Sequence, residues 1–172
     1  MFIGHFAPAL LARGITEDAP KLGVLFIAAQ LVDWAFFTFA IFGIEQLRIV
    51  PGITAMNPYD LVFMPYSHSL LATAGWALVF GVVVGVVLRN MVAAAWGVIV
   101  VLSHWLLDLL VHRPDLTIAG GEDKHGLGLW NTPHIELPLE IGLVLLAYWF
   151  YISRTQGPVI PPLILLRAML LF

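Results

Sequence analysis

One segment is the most informative about the fold of this chain: Ser103-His104-Trp105-Leu106-Leu107-Asp108-Leu109-Leu110-Val111-His112. It places two histidines and one aspartate at four-residue intervals inside an otherwise apolar segment. On an α-helix each four-residue step turns the side chain by about 40° and raises it by about 6 Å, so the three groups form one polar stripe. Ionisable side chains in an apolar membrane segment are costly and mark functional sites. This stripe uses the side-chain types that bind zinc and similar ions.

The composition surrounding the stripe is that of an integral membrane protein. Of the 172 residues, 60% are hydrophobic and only 11% are charged, which is about half the charged fraction of a soluble domain. The net charge of -3 comes without a basic stripe or an aromatic RNA-binding motif, which argues against nucleic acid as a partner. Cysteine is absent, so a protein-bound metal must use histidine, carboxylate, hydroxyl or backbone oxygen.

Four apolar segments are long enough, or nearly so, to cross a bilayer. They run from about Leu22 to Ile44, Ser69 to Leu88, Met91 to His112 and Leu137 to Ile152. We therefore predict a single all-α domain over residues 1–172, a polytopic membrane helical bundle with short apolar helices at Phe2–Ala12 and Val159–Phe172. Arg89-Asn90 is so short a connection that spans two and three should form an antiparallel hairpin. Gly75, Gly81 and Gly85 allow close helix contact there, or are ordinary membrane-helix residues.

The distribution of basic residues bears on orientation. Four spans place both longer connections, Glu45–His68 and Arg113–Glu136, on one side of the membrane. That side carries Arg48, Arg113 and Lys124, and the opposite side carries Arg13, Lys21, Arg89, Arg154 and Arg167. The five basic residues on the side of the termini, against three on the side of the loops, weakly favour termini in the cytoplasm.

The topology gathers further polar residues beside the stripe. His68 begins span two on the same side as His104, Asp108 and His112, and bundle metal sites are built from such inward ligands. Two further groups are Asp33, from the middle of span one, and Glu140, which shares a helix face with Glu136 at the start of span four. Each of these groups, taken singly, is equally explained by a hydrogen bond to a neighbouring helix.

Helix geometry limits which histidines share an ion. His104 and His112 lie about 12 Å apart along a regular helix, so the pairs His104–Asp108 and Asp108–His112 are favoured, and two ions are compatible with the pattern but not required. His5 reaches the same place only if its short helix dips into the membrane. We expect a divalent metal, zinc first, whose open position would activate water.

Other residues have roles beside the metal. Glu140 or Asp33 could take the proton from that water. Arg113, directly after the stripe, could hold a phosphate bidentately, or could simply be a cation favoured at a helix C-terminus.

At these residues the chain resembles bacterial membrane proteins described as metal-dependent hydrolases, the family that includes the LexA-binding inner-membrane hydrolases. The resemblance rests on Gly4-His5, Asp33, Ser67-His68-Ser69-Leu70 and Ser103–Asp108. It implies that His5, Asp33, His68, His104 and Asp108 are metal ligands and that the protein lies in the bacterial inner membrane. After Asp33 the chain departs from the usual family pattern, since no proline, second acid or histidine is present there.

The sequence supports three hypotheses about function. The first is a membrane-embedded, metal-dependent hydrolase of a lipid or membrane-associated ester, above all a phosphoester. The second is a non-catalytic subunit of a larger membrane complex, structural or binding a haem or chlorophyll through histidine. The third is ion or proton transport through Asp33, which lies mid-membrane. The lipid bilayer is a partner in each, and a homo-oligomer is compatible with all.

Overall fold

A computed structural model describes residues 3–155 of the chain. A 3-10 turn at Ile3–Phe6 leads into α1, and a second short 3-10 turn lies at Leu129–Asn131. The helices are α1 (Ala7–Ile15), α2 (Leu22–Ile41), α3 (Leu70–Leu88), α4 (Met91–Val111) and α5 (Pro133–Arg154), and the strands are β1 (Gln46–Ile49) and β2 (Tyr59–Phe63). The predicted helical bundle is confirmed. The predicted C-terminal helix, Val159–Phe172, lies outside the described residues.

Helices α2 to α5 are each long and apolar enough to cross a membrane, as a membrane protein requires. The predicted bounds of α3 and α4 agree with the structure to one residue. Helix α2 ends at Ile41, three residues before the predicted end at Ile44. Helix α5 begins at Pro133 and not at Leu137, because proline at the first helical position has its φ preset and lacks an N–H that would be unpaired there.

Helices α3 and α4 form the predicted antiparallel hairpin. Arg89 closes α3 in the left-handed conformation, at φ 50°, and the Asn90 side chain caps α4 by accepting hydrogen bonds from the second and third residues after it. A Cβ atom on Gly81 would lie 2.4 Å from the Val98 side chain, whereas one on Gly75 would meet nothing within 4 Å. Close packing therefore requires glycine at Gly81 but not at Gly75.

Helix α1 lies within the bundle, where it packs against α5 and α2. Its alanines Ala7, Ala9 and Ala12 are buried, and small side chains let helix backbones approach closely in membrane proteins. Opposite its end, a Cβ on Gly14 would lie 2.9 Å from the Phe150 ring. This packing inserts the N-terminal segment and places the Ile3–Phe6 turn beside the middle of the bundle.

The first long connection contains a hairpin that the sequence analysis did not predict. Strands β1 and β2 pair antiparallel, with Arg48 opposite Asp60. Leu61 and Met64 bury their side chains in a cluster with Phe36 and Trp105. The hairpin thereby covers the ends of α2 and α4 where the polar residues lie.

Candidate metal centre

Six histidine and aspartate side chains meet between the helices. They come from the first 3-10 turn, α2, the residues before α3, and the end of α4: His5, Asp33, His68, His104, Asp108 and His112. All are buried except Asp33, whose side chain is 17% exposed. The structure thus brings together the five metal ligands predicted from the sequence and one of the two predicted catalytic carboxylates.

Asp108 lies at the centre of the cluster and presents its two oxygens to different histidines. Its Oδ2 atom is 3.2 Å from His104 Nε2 and 3.6 Å from His68 Nε2. Its Oδ1 atom is 3.1 Å from His5 Nε2 and 3.5 Å from His112 Nε2. One carboxylate therefore contacts all four imidazoles.

Asp33 contributes a second carboxylate to the same cluster. Its Oδ1 atom is 3.5 Å from both His68 Nε2 and His104 Nε2, and its Oδ2 atom is 3.8 Å from His5 Nδ1. Two groups have ligand atoms close enough together to hold an ion, namely His5–His104–Asp108 and Asp33–His68–His104. Asp33 lies where it could bind an ion, which makes it a poorer candidate for the proton acceptor than Glu140.

Three of the histidines are anchored by a hydrogen bond at Nδ1. This bond fixes the orientation of the ring and therefore the direction of the Nε2 atom. His104 Nδ1 donates to the Ala29 carbonyl at 2.8 Å, and His112 Nδ1 donates to Asp115 Oδ1 at 2.8 Å. His68 Nδ1 lies 2.8 Å from Ser67 Oγ. A neutral imidazole that donates through Nδ1 carries its lone pair on Nε2, and such anchoring is the usual surrounding of a metal-binding histidine.

The serine behind His68 is itself held by a buried glutamate. Glu45 Oε2 accepts the Ser67 hydroxyl at 2.6 Å, and Glu45 Oε1 accepts the backbone N–H groups of Tyr66 and Ser67 at 2.8 and 2.9 Å. Because the serine proton goes to Glu45, the serine oxygen accepts from His68 Nδ1–H. Ser67 is buried and occupied in this way, so it is a support for His68 and not a nucleophile.

The separations within the cluster are compatible with a bound metal ion. The three anchored Nε2 atoms face carboxylate oxygens, and like partial charges repel unless a proton or a metal ion lies between them. A protonated imidazole would hydrogen-bond a carboxylate at about 2.7–2.9 Å, whereas most of these separations are 3.2–3.6 Å. Ligands held about 2.0–2.2 Å from a tetrahedral ion are about 3.4 Å apart. Buried His and Asp side chains here can therefore hold a metal ion.

His5 lies deep in the cluster. Its side chain is 2% exposed and stacks on His104, with ring centroids 3.7 Å apart. Neither ring nitrogen makes a hydrogen bond to another described residue, which is rare for a buried polar group. Burial, reinforced by His104, lowers the pKa of His5 to about 4, so its imidazole is neutral and able to bind a metal.

His112 caps the C-terminal end of α4. The helix ends at Val111, and His112 is extended, with φ −61° and ψ 144°. Its ring packs 4.1 Å from Trp130. Burial alone would lower the pKa of His112, but the Asp108 and Asp115 carboxylates outweigh it and raise that pKa. The His112 N–H still donates to the Asp108 carbonyl at 2.8 Å, so His112 keeps its helical position, and His104 and His112 approach opposite oxygens of Asp108, as the predicted pairs require.

A pair of glutamates borders the cluster on α5. Glu140 Oε1 accepts the Gly4 N–H at 2.9 Å, which ties α5 to the segment that carries His5. The carboxyl group of Glu136, one turn earlier, is buried against that of Glu140. Of these two residues only Glu140 was predicted to accept a proton, although the four-residue spacing places Glu136 on the same helix face.

A cavity of about 510 Å³ opens onto the cluster. Its floor is polar, with histidine and acidic side chains, and its walls are mainly aromatic and aliphatic. The lining residues are His5, Asp33, Phe36, Phe37, Leu47, Met56, Asn57, Tyr59, Leu61, His68, Asp108, His112, Trp130, Glu136 and Glu140. No lysine or arginine belongs to this lining, so the described side chains offer an anion no cationic partner there.

Arg113, the predicted phosphate ligand, lies outside that lining and is engaged by two carboxylates. Its Nη2 atom donates to Asp60 Oδ1 on β2, and its Nε atom lies 3.6 Å from Asp115 Oδ2. Asp115 in turn accepts from His112. Arg113 therefore connects the β-hairpin to the support of His112.

Comparison with known proteins gives no match: no family model, curated protein or solved structure matches this chain. The family resemblance drawn from the motifs thus remains a prediction. The chemistry of the site has to be argued from its own residues.

Proposed function

We propose that this chain is a membrane-embedded, metal-dependent hydrolase that acts on an ester bond, above all a phosphoester, of a lipid or other membrane-associated molecule. The observation that supports it best is the set of anchored imidazoles whose Nε2 atoms face Asp33 and Asp108 at the floor of an apolar-walled cavity. We also propose membership of the inner-membrane hydrolase family that the motifs resemble, with termini in the cytoplasm.

The ligands favour zinc among the divalent ions. Imidazole nitrogen and carboxylate oxygen are typical zinc ligands, and the chain has no thiolate to offer. His68, His104, Asp33 and Asp108 are the residues that would hold the ion, because each of the two carboxylates has an oxygen within 3.6 Å of both histidines. A bound zinc ion would supply Lewis acidity and lower the pKa of a water molecule in an open position.

The glutamates of α5 would accept the proton of the attacking water and donate it to the leaving group. Glu140 and Glu136 line the cavity beside His5, and a carboxylate in reach of an attacking water can take its proton and return it to the leaving group. Glu140 accepts the Gly4 N–H through Oε1, and its other oxygen, Oε2, is the candidate acceptor of the proton.

The walls of the cavity indicate an amphiphilic substrate. Apolar residues line much of the cavity, and apolar walls with a few convergent polar groups are typical of small-molecule sites. They include Phe36, Phe37, Leu47, Tyr59 and Leu61. Phe37 is half exposed on a helix suited to the bilayer. A lipid could therefore place its apolar part along these side chains and its ester at the metal.

The experiment is metal analysis and an activity assay on the same detergent-purified protein. We expect bound divalent metal, hydrolysis of a phospholipid in mixed micelles, loss of both on chelation, and recovery on addition of zinc. His134→Ala is the matched control, since His134 is exposed and lies outside the cavity lining. Hydrolysis that persists without metal, or metal binding without hydrolysis of either phosphoesters or carboxylic esters, would contradict the proposal.

A further inference from the structure

Asp108 divides the cluster into two halves. Its Oδ2 atom, together with Asp33 Oδ1, faces His68 and His104. Its Oδ1 atom faces the other two histidines, His5 and His112, at 3.1 and 3.5 Å. Each half combines two imidazoles with at least one carboxylate oxygen.

The half made of His5 and His112 has its own need for a cation. His112 is anchored through Nδ1 by Asp115, so its Nε2 lone pair faces Asp108 Oδ1. His5 is buried, and neither of its nitrogens makes a hydrogen bond to a described residue. An ion held by His68 and His104 would contact Asp108 through Oδ2, whereas His5 and His112 face Oδ1, the other oxygen of that carboxylate.

The geometry points to a dinuclear centre in which Asp108 bridges two divalent ions, one held by His68, His104 and Asp33 and the other by His5 and His112. This inference rests on the proposed metal site and adds a second ion to it. A carboxylate that contributes one oxygen to each ion is the natural bridge, and ions paired in hydrolytic sites are about 3.5–4 Å apart.

Asp33 supports the same division. Its Oδ1 atom is 3.5 Å from His68 Nε2 and from His104 Nε2, while its Oδ2 atom lies on the side of His5, 3.8 Å from Nδ1. Both carboxylates thus present one oxygen to each half. Residues of both halves line the cavity, as do Glu136 and Glu140, so both ions would face the space available to a substrate.

A second ion narrows the substrate class. Among the described residues, the cavity lining contains no lysine or arginine, so metal ions would be the main partners for the charge of a phosphoryl group. Paired ions are characteristic of phosphatases, nucleases and some aminopeptidases, where they stabilise both the attacking and the leaving oxygen. The inference therefore favours a phosphoester over a carboxylic ester.

The test counts ions in purified protein reconstituted with Mn²⁺ and records its electron paramagnetic resonance spectrum. We expect two equivalents of manganese and the spectrum of an exchange-coupled pair in the unmodified chain. His112→Ala should retain one equivalent with the spectrum of an isolated ion, and His5→Ala should do the same. The control His134→Ala should retain two coupled ions.

The outcomes separate this inference from the proposed function. One equivalent with an isolated-ion spectrum in the unmodified protein, accompanied by metal-dependent hydrolysis, would overturn the second ion and leave the hydrolase proposal standing. No bound metal at all would overturn both. The unmodified protein decides these cases, so the result does not depend on whether a histidine variant folds.

Discussion

The hydroxyl group of Ser67 donates a 2.6 Å hydrogen bond to the carboxylate of Glu45, which lies 22 residues earlier in the chain. Ser67 Oγ also lies 2.8 Å from His68 Nδ1. A buried carboxylate outside the metal cluster thereby sets the ring orientation of one proposed ligand. Supports of this kind raise the basicity of the ligand and keep its other nitrogen aimed at the ion.

Replacing Glu45 with glutamine should weaken metal binding without changing the number of ions. Loss of a partner behind a metal-binding histidine costs about 10–100-fold in affinity, and we expect a loss in that range for Glu45→Gln. Competition titration with a chromophoric chelator measures it. Glu122→Gln, at an exposed position, is the control, and equal affinity in the two variants would show that Glu45 does not act through His68.

The glutamates on α5 should affect turnover and leave metal content unchanged. If Glu140 takes the proton from water, Glu140→Gln should lower kcat by about 10²–10⁴-fold, with full metal occupancy. Glu136→Gln tests whether the neighbouring carboxyl shares this work. Metal loss in Glu140→Gln that matches the loss of activity would instead make Glu140 a ligand.

Arg113 should act through its carboxylate partners and not on the substrate. Because it pairs with Asp60 and with Asp115, which holds His112, Arg113→Gln should weaken metal binding while KM for a phosphoester stays within about twofold. The ion pair is partly exposed, so its loss should cost about 1 kcal/mol or less of stability. Arg154→Gln, at the far end of α5, is the control. A large rise in KM for a phosphoester alone would support the phosphate-binding role predicted from the sequence.

Two glycines of α3 should respond oppositely to the same substitution. Gly81→Ala would place a Cβ 2.4 Å from Val98 Cγ2 and 3.2 Å from the Ala94 carbonyl oxygen, and overpacking of this kind costs about 1–3 kcal/mol. Gly75→Ala meets nothing within 4 Å and gains up to about 1 kcal/mol of helix propensity. Thermal unfolding in detergent should therefore show a lower Tm for Gly81→Ala only. Equal effects would mean that the close helix contact at Gly81 contributes nothing.

Sequence reasoning was most successful where the determinants are local. The bounds of α3 and α4 could be predicted because two long apolar segments are separated by Arg89-Asn90 alone. The pairing of His104 with Asp108 follows from helical spacing within a single helix, and the structure places them 3.2 Å apart. The membrane-spanning helices follow from composition in the same way.

The supports of the site could not be predicted because they join residues far apart in sequence. Nothing local links Glu45 to Ser67, and the Ala29 carbonyl that anchors His104 lies on another helix. The position of His5 depends on how the alanines of α1 pack inside the bundle, which hydropathy alone does not specify. The pairing of His112 with Asp108, by contrast, follows from the four-residue spacing, because the His112 N–H still bonds the Asp108 carbonyl at the end of α4.

The central claim is that the imidazoles of His68 and His104 and the carboxylates of Asp33 and Asp108 hold a divalent ion. Anomalous X-ray scattering from crystals of the zinc-loaded protein, measured at the zinc absorption edge, tests it most directly. The account predicts an anomalous peak between these four side chains, about 2.0–2.2 Å from each ligand atom, that disappears in Asp108→Asn. Fully occupied density for all four side chains without an anomalous peak among them would contradict it.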